Sequence, residues 1–388
     1  MASTVEEQAK PDRRAVPDLA LEWFDQGRAV AIATLVGVSG SAPIDPGASM
    51  IFDADKHVEG SVTGGCVEGA LAGEAEAVLA GSEARLVDYG ISDELAGTVG
   101  LMCGGEVEVL VRKLDEAGVA VLHHLRSAFS DEQAIALAIL LNGPNRGATM
   151  AINDGAVTGG LGVGDRLDAS VTSDAMGLLA QGQSLIRWYG GDGARTGDDL
   201  GVYIHAYGPS PRLIICGAVD FSIAVARQAR EMGYRVTICD PRQSFVSSSR
   251  LQAAAEVVRE WPDAYLSSQA LTPRDAVLIF THDSKFDEPA SIAAVRSDVG
   301  YVGALGSRRT HADRIRRLRE AGLSEEETSR IVCPAGLDIG SSTPAETAIS
   351  ILAEITAVKN GIAPDATVQV AKAKALIAPS GACPVATG

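Results

Sequence analysis

The chain has 388 residues, a formal net charge of -17, 46% hydrophobic residues, 4% aromatic residues and 42 glycines. That length gives two or three domains, and that composition suits an α/β protein rich in tight turns. The acidic balance, with no basic stripe, argues against general nucleic-acid or anionic-membrane binding, and no apolar run approaches the ~18 residues that span a bilayer.

The first residues, "MASTVEEQAKPDRR", lack the apolar region of a secretion signal. Residues 1–16 are therefore expected to form a disordered tail, and the protein to be cytoplasmic. None of the six cysteines lies in a CxxC pair, so no disulfide framework is expected. An α+β domain is expected over residues 17–208. It contains an internal repeat: "GASMIFDADKHVEGSVTGG" begins at Gly47 and "GATMAINDGAVTGGLGVG" at Gly147. Each reads as strand, turn and strand running into glycines, then a helical stretch and a further strand pair. Tyr89 and Tyr189 keep the spacing of the two glycines. Two related subdomains are expected, at about 46–112 and 146–207.

"VSGSAPIDPGASM" joins two strands of the first copy. Ser41 and its neighbours Ser39 and Gly40 could offer hydroxyls and amides to an anion, or form an ordinary connection. "TGGCVEGAL" places Cys66 after Gly64 and Gly65, at a turn into a helix whose N-terminus would favour a thiolate. "GLMCGGEV" places Cys103 before Gly104 and Gly105, which allow close approach by a ligand. Either cysteine could instead be a small buried residue in a tight turn. The second copy has neither cysteine, and "GDDLGVYIH" stands where the first has "GLMCGGEVEV". That contrast favours chemistry in the first copy and a structural role for the second.

"YGPSPR", residues 207–212, breaks the pattern and opens a Rossmann-like domain expected over 209–362. "RLIIC", "YRVTIC", "DAVLIF" and "VGYVGAL" read as short buried parallel strands alternating with helices, hence a doubly wound sheet. The fingerprint Gly-x-Gly-x-x-Gly is broken, because its three positions read Gly217, Val219 and Ser222. NAD(P) binding is therefore expected to be weak or absent. At the carboxyl ends of later strands, "THDSKFD" offers His282 and Asp283, which either face a ligand or fix a loop. "GSRRTHADR" puts Arg308 and Arg309 at a helix start, where cations oppose the helix dipole. An anionic ligand would offset that, and a solvated basic face is the alternative. Thr343, Pro344 and Glu346 read as a capping box. Residues 363–388 are expected to be a C-terminal tail. No HExxH, P-loop or GxSxG motif occurs.

Together, "GSAPIDPGASM", "GSVTGGCVEGAL", "GLMCGGEVEVLV", the βαβ unit, "THDSKFD", "VGALGSRR" and "GLDIGSSTPAETAISILAEI" resemble the XdhC/CoxI family, accessory proteins of xanthine dehydrogenase and related molybdenum hydroxylases. The resemblance covers residues 30–360. It implies binding of the molybdenum cofactor (molybdopterin), its protection during sulfuration, and its delivery to a molybdenum hydroxylase apo-enzyme. A cysteine desulfurase partner and a homodimer are implied as well. Cys103 and Cys66 would then ligate molybdenum, and Arg308 and Arg309 would hold the cofactor phosphate. Gly64, Gly65, Gly104, Gly105, Ser41, His282 and Asp283 would line the cofactor. The chain departs from the family pattern at Ile44, where an arginine is usual, and in "GAVDFS", where Val219 and Asp220 replace a glycine and a histidine. The alternative is an oxidoreductase using NAD(P) or a molybdenum centre, although the iron–sulfur cysteine spacings of a complete xanthine dehydrogenase are missing.

Overall fold

Apolar residues repeat along the first half with the same spacing twice, and the backbone follows them. The computed structural model describes residues 15–40, 44–90, 105–154, 156–252, 254–281 and 283–362. Ser41, Cys103, Gly104, His282 and both expected tails beyond those limits lie outside the described residues. The chain divides into two compact units, Met1–Pro209 and Ser210–Gly388.

The first unit opens with α1 (Ala15–Asp25), β1 (Val30–Ser39), β2 (Ser49–Asp53) and β3 (Val58–Gly60). It continues with α2 (Glu68–Leu79), β4 (Arg85–Tyr89) and β5 (Glu106–Lys113). The same order then returns as α3 (Glu116–Ser130), β6 (Ile135–Leu140), β7 (Thr149–Asn153), β8 (Ala156–Gly159), α4 (Asp165–Gln181), β9 (Leu185–Tyr189) and β10 (Leu200–Tyr207). The two antiparallel sheets have the same strand order, β3-β2-β1-β5-β4 and β8-β7-β6-β10-β9. The duplication is therefore real, and it is longer than the sequence match, because each copy also carries a leading helix and strand. Helix α1 starts inside the expected tail, since Val16 and Ala20, one helical turn apart, both reach the core.

The registers fix the equivalences between the copies. Met50 opposes Ala33 and Gly60, and Met150 opposes Ala138 and Gly159. Ala33 in turn opposes Val111, and Ala138 opposes Ile204. One residue further along, Arg112 of β5 is thus the counterpart of His205 of β10. Helix α2 covers one face of the first sheet through Leu71, Ala75 and Val78, and α4 covers the second sheet through Val171, Ala175 and Leu178. The opposite faces share one core with α1 and α3, in which Ile32, Leu110, Leu125, Leu137 and Tyr203 meet. Each fully enclosed leucine there, such as Leu110 or Leu125, contributes about 1.5–3 kcal/mol.

The second unit is a single parallel sheet. Its elements are β11 (Arg212–Cys216), α5 (Asp220–Glu231), β12 (Arg235–Cys239), α6 (Gln243–Val246), α7 (Ser249–Gln252), β13 (Glu256–Val258) and α8 (Pro262–Ser268). They are followed by β14 (Ala276–Ile279), α9 (Ser284–Arg296), β15 (Tyr301–Ala304), α10 (Arg308–Glu320), α11 (Glu325–Ser329), β16 (Ile331–Val332) and α12 (Pro344–Lys359). The strand order, β13-β12-β11-β14-β15-β16, is that of a Rossmann fold, with the switch point between β11 and β14. The four buried strands read from the sequence are β11, β12, β14 and β15. The edge strands β13 and β16 are too short to leave an apolar signature. Gly217, at the end of β11, has φ +123°, and a Cβ there would meet the Thr281 backbone nitrogen at 3.0 Å, so only glycine fits the close approach to the next strand. Among the described residues, no helix is long and apolar enough to cross a membrane.

Candidate functional site

The glycine loop between β3 and α2 is organised by one carboxylate. Glu68, the first residue of α2, accepts N–H bonds from Thr63 at 2.8 Å, Gly65 at 2.9 Å, Gly64 at 3.0 Å and Val67 at 3.1 Å. It also accepts the Val62 N–H at 3.2 Å and the hydroxyls of Ser61 at 2.6 Å and Thr63 at 2.8 Å. Burial pushes the Glu68 carboxyl up, but the bonds from Ser61 and Thr63 outweigh it and bring it down to about 2. The amides that could have held an external anion are therefore taken by the helix's own side chain. Gly64 (φ +78°) and Gly65 (φ +117°) supply the left-handed backbone that turns them inward. In the second copy Asp168 does a smaller version of the same work, accepting the Leu161 N–H at 3.1 Å.

Cys66 follows the two glycines in this loop. Its amide donates to Thr63 Oγ1 at 3.2 Å, and its half-buried side chain packs at the rim of the core under α2, the same core that Val38 and Ile44 rim. The thiol makes no hydrogen bond among the described residues. Gly105 is buried immediately ahead of β5, whose first residue Glu106 opposes Ser39 in the register. A cleft of about 560 Å³ opens where β1, β4 and β5 end, lined by Ser39, Asp88, Tyr89, Glu106 and Glu108 among others. Asp88 and Glu108 face each other directly across the strands. Burial, and then the Asp88 charge, raise the Glu108 carboxyl above the usual range. Three carboxylates make this cleft a poor home for a phosphate and a better one for a cation or neutral ring.

In the second unit the turn after β11 is closed from within. Ala218 N–H donates to Asp240 Oδ2 at 2.9 Å, and Ser222 Oγ donates to the Gly217 carbonyl at 2.6 Å. Asp240, at the end of β12, is gripped by the Arg242 guanidinium at 2.7 and 2.9 Å. Burial raises the Asp240 carboxyl, but the Arg242 bonds outweigh it and hold it below the usual carboxylate range. In a dinucleotide site such an acid accepts ribose hydroxyls and such an amide faces the pyrophosphate. Here acid and amide bond to each other, with arginine filling the remaining acceptor positions. Neither Glu68's cage nor this triad is legible in the sequence, because both depend on backbone amides. The only signal the sequence carries for either is an acidic residue at the right helix turn or strand end.

Asp283 is the N-cap of α9, accepting the Lys285 N–H at 3.1 Å, which gives it a structural reason to be there. Arg308 and Arg309 are exposed at the start of α10, whose cap is Ser307, and neither forms an ion pair among the described residues. The capping box of Thr343 and Glu346 is present, and Glu346 also accepts the Ser342 N–H at 2.8 Å. The structure thus places Gly64, Gly65 and Cys66 in one loop and Gly105 at the head of β5. Asp283, Arg308 and Arg309 belong to the other unit.

Two family profiles match the chain: that of the XdhC and CoxI family over residues 23–90, and that of the XdhC Rossmann domain over residues 213–355. The molybdenum cofactor insertion chaperone PaoD of Escherichia coli is 30% identical over 348 residues, 90% of this chain and 89% of that protein. A Bacillus subtilis protein named as a probable subunit of xanthine dehydrogenase is 26% identical over 341 residues, 87% of this chain and 96% of the relative. A crystal structure described as a xanthine dehydrogenase from Bacillus halodurans superposes with a TM-score of 0.67 at 23% identity, covering 89% of this chain and 96% of that one. This last likeness shows a common fold.

Proposed function

The chain belongs to the XdhC and CoxI family, and from that premise we propose that it binds the molybdenum cofactor and delivers it to a molybdenum hydroxylase of the xanthine dehydrogenase type. The observation that carries this reading in the molecule itself is Cys66. It is a half-buried thiol without a hydrogen-bond partner among the described residues, held on a loop whose amides are locked around Glu68. A loop so tied holds its half-exposed thiol in one position. The donor chemistry fits the cargo, since thiolate sulfur is a soft ligand. On this proposal Cys66, together with Cys103, holds the cofactor through sulfur, and the glycines 64, 65, 104 and 105 leave room for it. The carboxylates of the neighbouring cleft disfavour the phosphate end, so that end is held elsewhere. In the second unit Arg308 and Arg309, whose charges have no ion-pair partner among the described residues, are proposed as an anion contact in their own right.

Protection of the cofactor during sulfuration, a cysteine desulfurase as sulfur donor and a homodimeric assembly belong to the same proposal. The oxidoreductase alternative gains no support from the turn after β11, where Asp240, Ala218 and Arg242 satisfy one another. The test is delivery. Protein purified without oxygen is mixed with a molybdenum hydroxylase apo-enzyme, and the activity of the latter is followed. Restoration that requires the parent and fails with Cys66→Ser supports the reading. Equal restoration by both variants rejects Cys66 as the holding residue, and no restoration by any preparation rejects delivery.

A further inference from the structure

The seam between the two copies of the first unit contains a cation with no partner among the described residues. Arg112, near the end of β5, is only 5% exposed, and its Nε is enclosed without a hydrogen bond. Its guanidinium forms no hydrogen bond or ion pair among the described residues. Asp115, the carboxylate whose charge acts on it, is engaged as the N-cap of α3, accepting the Gly118 N–H at 2.8 Å. Burial pushes the guanidinium down to about 10, with Asp115 pulling the other way. An unpaired charge taken out of water costs several kcal/mol, so such a residue calls for an explanation.

The counterpart position in the second copy shows what a satisfied group looks like there. His205 is equally buried, but its Nδ1 bonds the Tyr203 hydroxyl at 2.9 Å and its ring packs on Tyr207 at 4.2 Å between centroids. Arg112 has no such company and instead lines a cleft of about 420 Å³. The cleft runs between the end of β5, the first turn of α3 and the loop of residues 144–148. Three cationic side chains, Arg112, Lys113 and Arg146, line it against two carboxylates, Glu83 and Asp115. Ala117 and Gly118 bring the amino end of a 15-residue helix to the same space.

We propose that this seam is an oxyanion-binding site that holds a phosphate or phosphomonoester on the Arg112 guanidinium, with Arg146 at its rim. The planar fork of a guanidinium matches two oxygens of a phosphate, and it carries the site because the Gly118 N–H at the helix start is already taken by Asp115. The volume exceeds that of inorganic phosphate alone, so a small organic group attached to it also fits. The inference rests on the first unit's geometry and stands whether or not the chain carries the molybdenum cofactor.

The test is calorimetric titration of the full chain with inorganic phosphate in a chloride buffer, for the parent, Arg112→Met and Arg146→Gln. The parent binds at a single site, Arg112→Met weakens binding roughly tenfold or more, and Arg146→Gln weakens it by roughly threefold. Without phosphate, Arg112→Met melts no lower than the parent, because a buried unpaired charge has been removed. Should Arg112→Met not fold, Arg146→Gln on the exposed rim decides alone. Mass analysis of small molecules released from denatured parent separates the sources. A phosphomonoester that phosphate displaces identifies an organic ligand, and phosphate alone identifies the free ion. A parent that binds no phosphate up to ~10 mM and releases no phosphomonoester overturns the proposal. So does binding that neither variant changes.

Discussion

Gly47 lies against His205, and the pseudo-equivalent Gly147 lies against Arg112, the counterpart of His205. A side chain at Gly47 would run into the His205 ring, and a Cβ at Gly147 would stand 2.8 Å from the Ala84 Cβ and 3.2 Å from the Arg112 Cβ. The repeated glycine is thus imposed by packing of each copy's β2 or β7 entry against the other copy. The backbone adds a second reason, with φ of +98° at Gly47 and +91° at Gly147.

Both glycines should therefore resist substitution. Gly47→Ala is expected to cost about 2–4 kcal/mol and Gly147→Ala about 1–3 kcal/mol, from backbone strain plus overpacking. Urea denaturation midpoints measure this. A cost below about 0.5 kcal/mol for both would show that the seam yields easily.

These same residues show what a sequence can and cannot disclose. Glycines and core positions recur at matched spacing, so the duplication is legible, as are the strands β11, β12, β14 and β15. The burial of Arg112 is not. In "EVEVLVRKL" the alternation puts it on the face of Glu106 and Glu108, which reads as solvent-facing. It becomes interior only because a second copy covers the far end of that face. At the candidate site, Cys66 stands out by residue type and glycine neighbours. The anchoring role of Glu68 stays hidden because its partners are main-chain amides, which every sequence contains.

Glu68 gives a pH-dependent prediction. Its folded carboxyl titrates near 2, below the ordinary 4.5, so its contribution is fully present above about pH 4.5 and is lost as pH falls toward 2. Glu68→Gln should lower stability at pH 7 by about 1–2 kcal/mol once solvent screening of this half-exposed group is allowed for. The gap to the parent should narrow below about pH 4.5. Denaturation midpoints from pH 7 to pH 3 check the sign. A gap that widens on acidification would contradict the assignment.

Nicotinamide dinucleotides should bind weakly or not at all. Asp240 is saturated by Ala218 and Arg242, and Asp220 adds a carboxylate at the first turn of α5. Calorimetry with NADH and NADPH is the check. Stoichiometric micromolar binding would mean that Arg242 swings out at little cost.

Arg314 and Asp287 form an enclosed pair, 1% and 4% exposed, with contacts of 2.6 and 2.8 Å. Asp287→Ala leaves the buried guanidinium with the Leu305 carbonyl and the Cys333 sulfur but no counter-charge, and should cost about 3–5 kcal/mol, whereas the double change Asp287→Leu with Arg314→Met should recover most of that loss. Thermal or chemical unfolding of the three proteins measures the coupling. Additive losses in the double variant would show that the pair is not the reason for its burial.

We propose that this chain carries the molybdenum cofactor on a thiol of its first unit. The most direct measurement is molybdenum content per chain by elemental analysis, on protein purified without oxygen from cells making the cofactor. The parent and Cys66→Ser are compared beside their melting curves. Molybdenum with a pterin absorbance is expected in the parent, and a large loss of both in Cys66→Ser with an unchanged melt. Molybdenum at background level in the parent, or full retention by a normally folded Cys66→Ser, would contradict it.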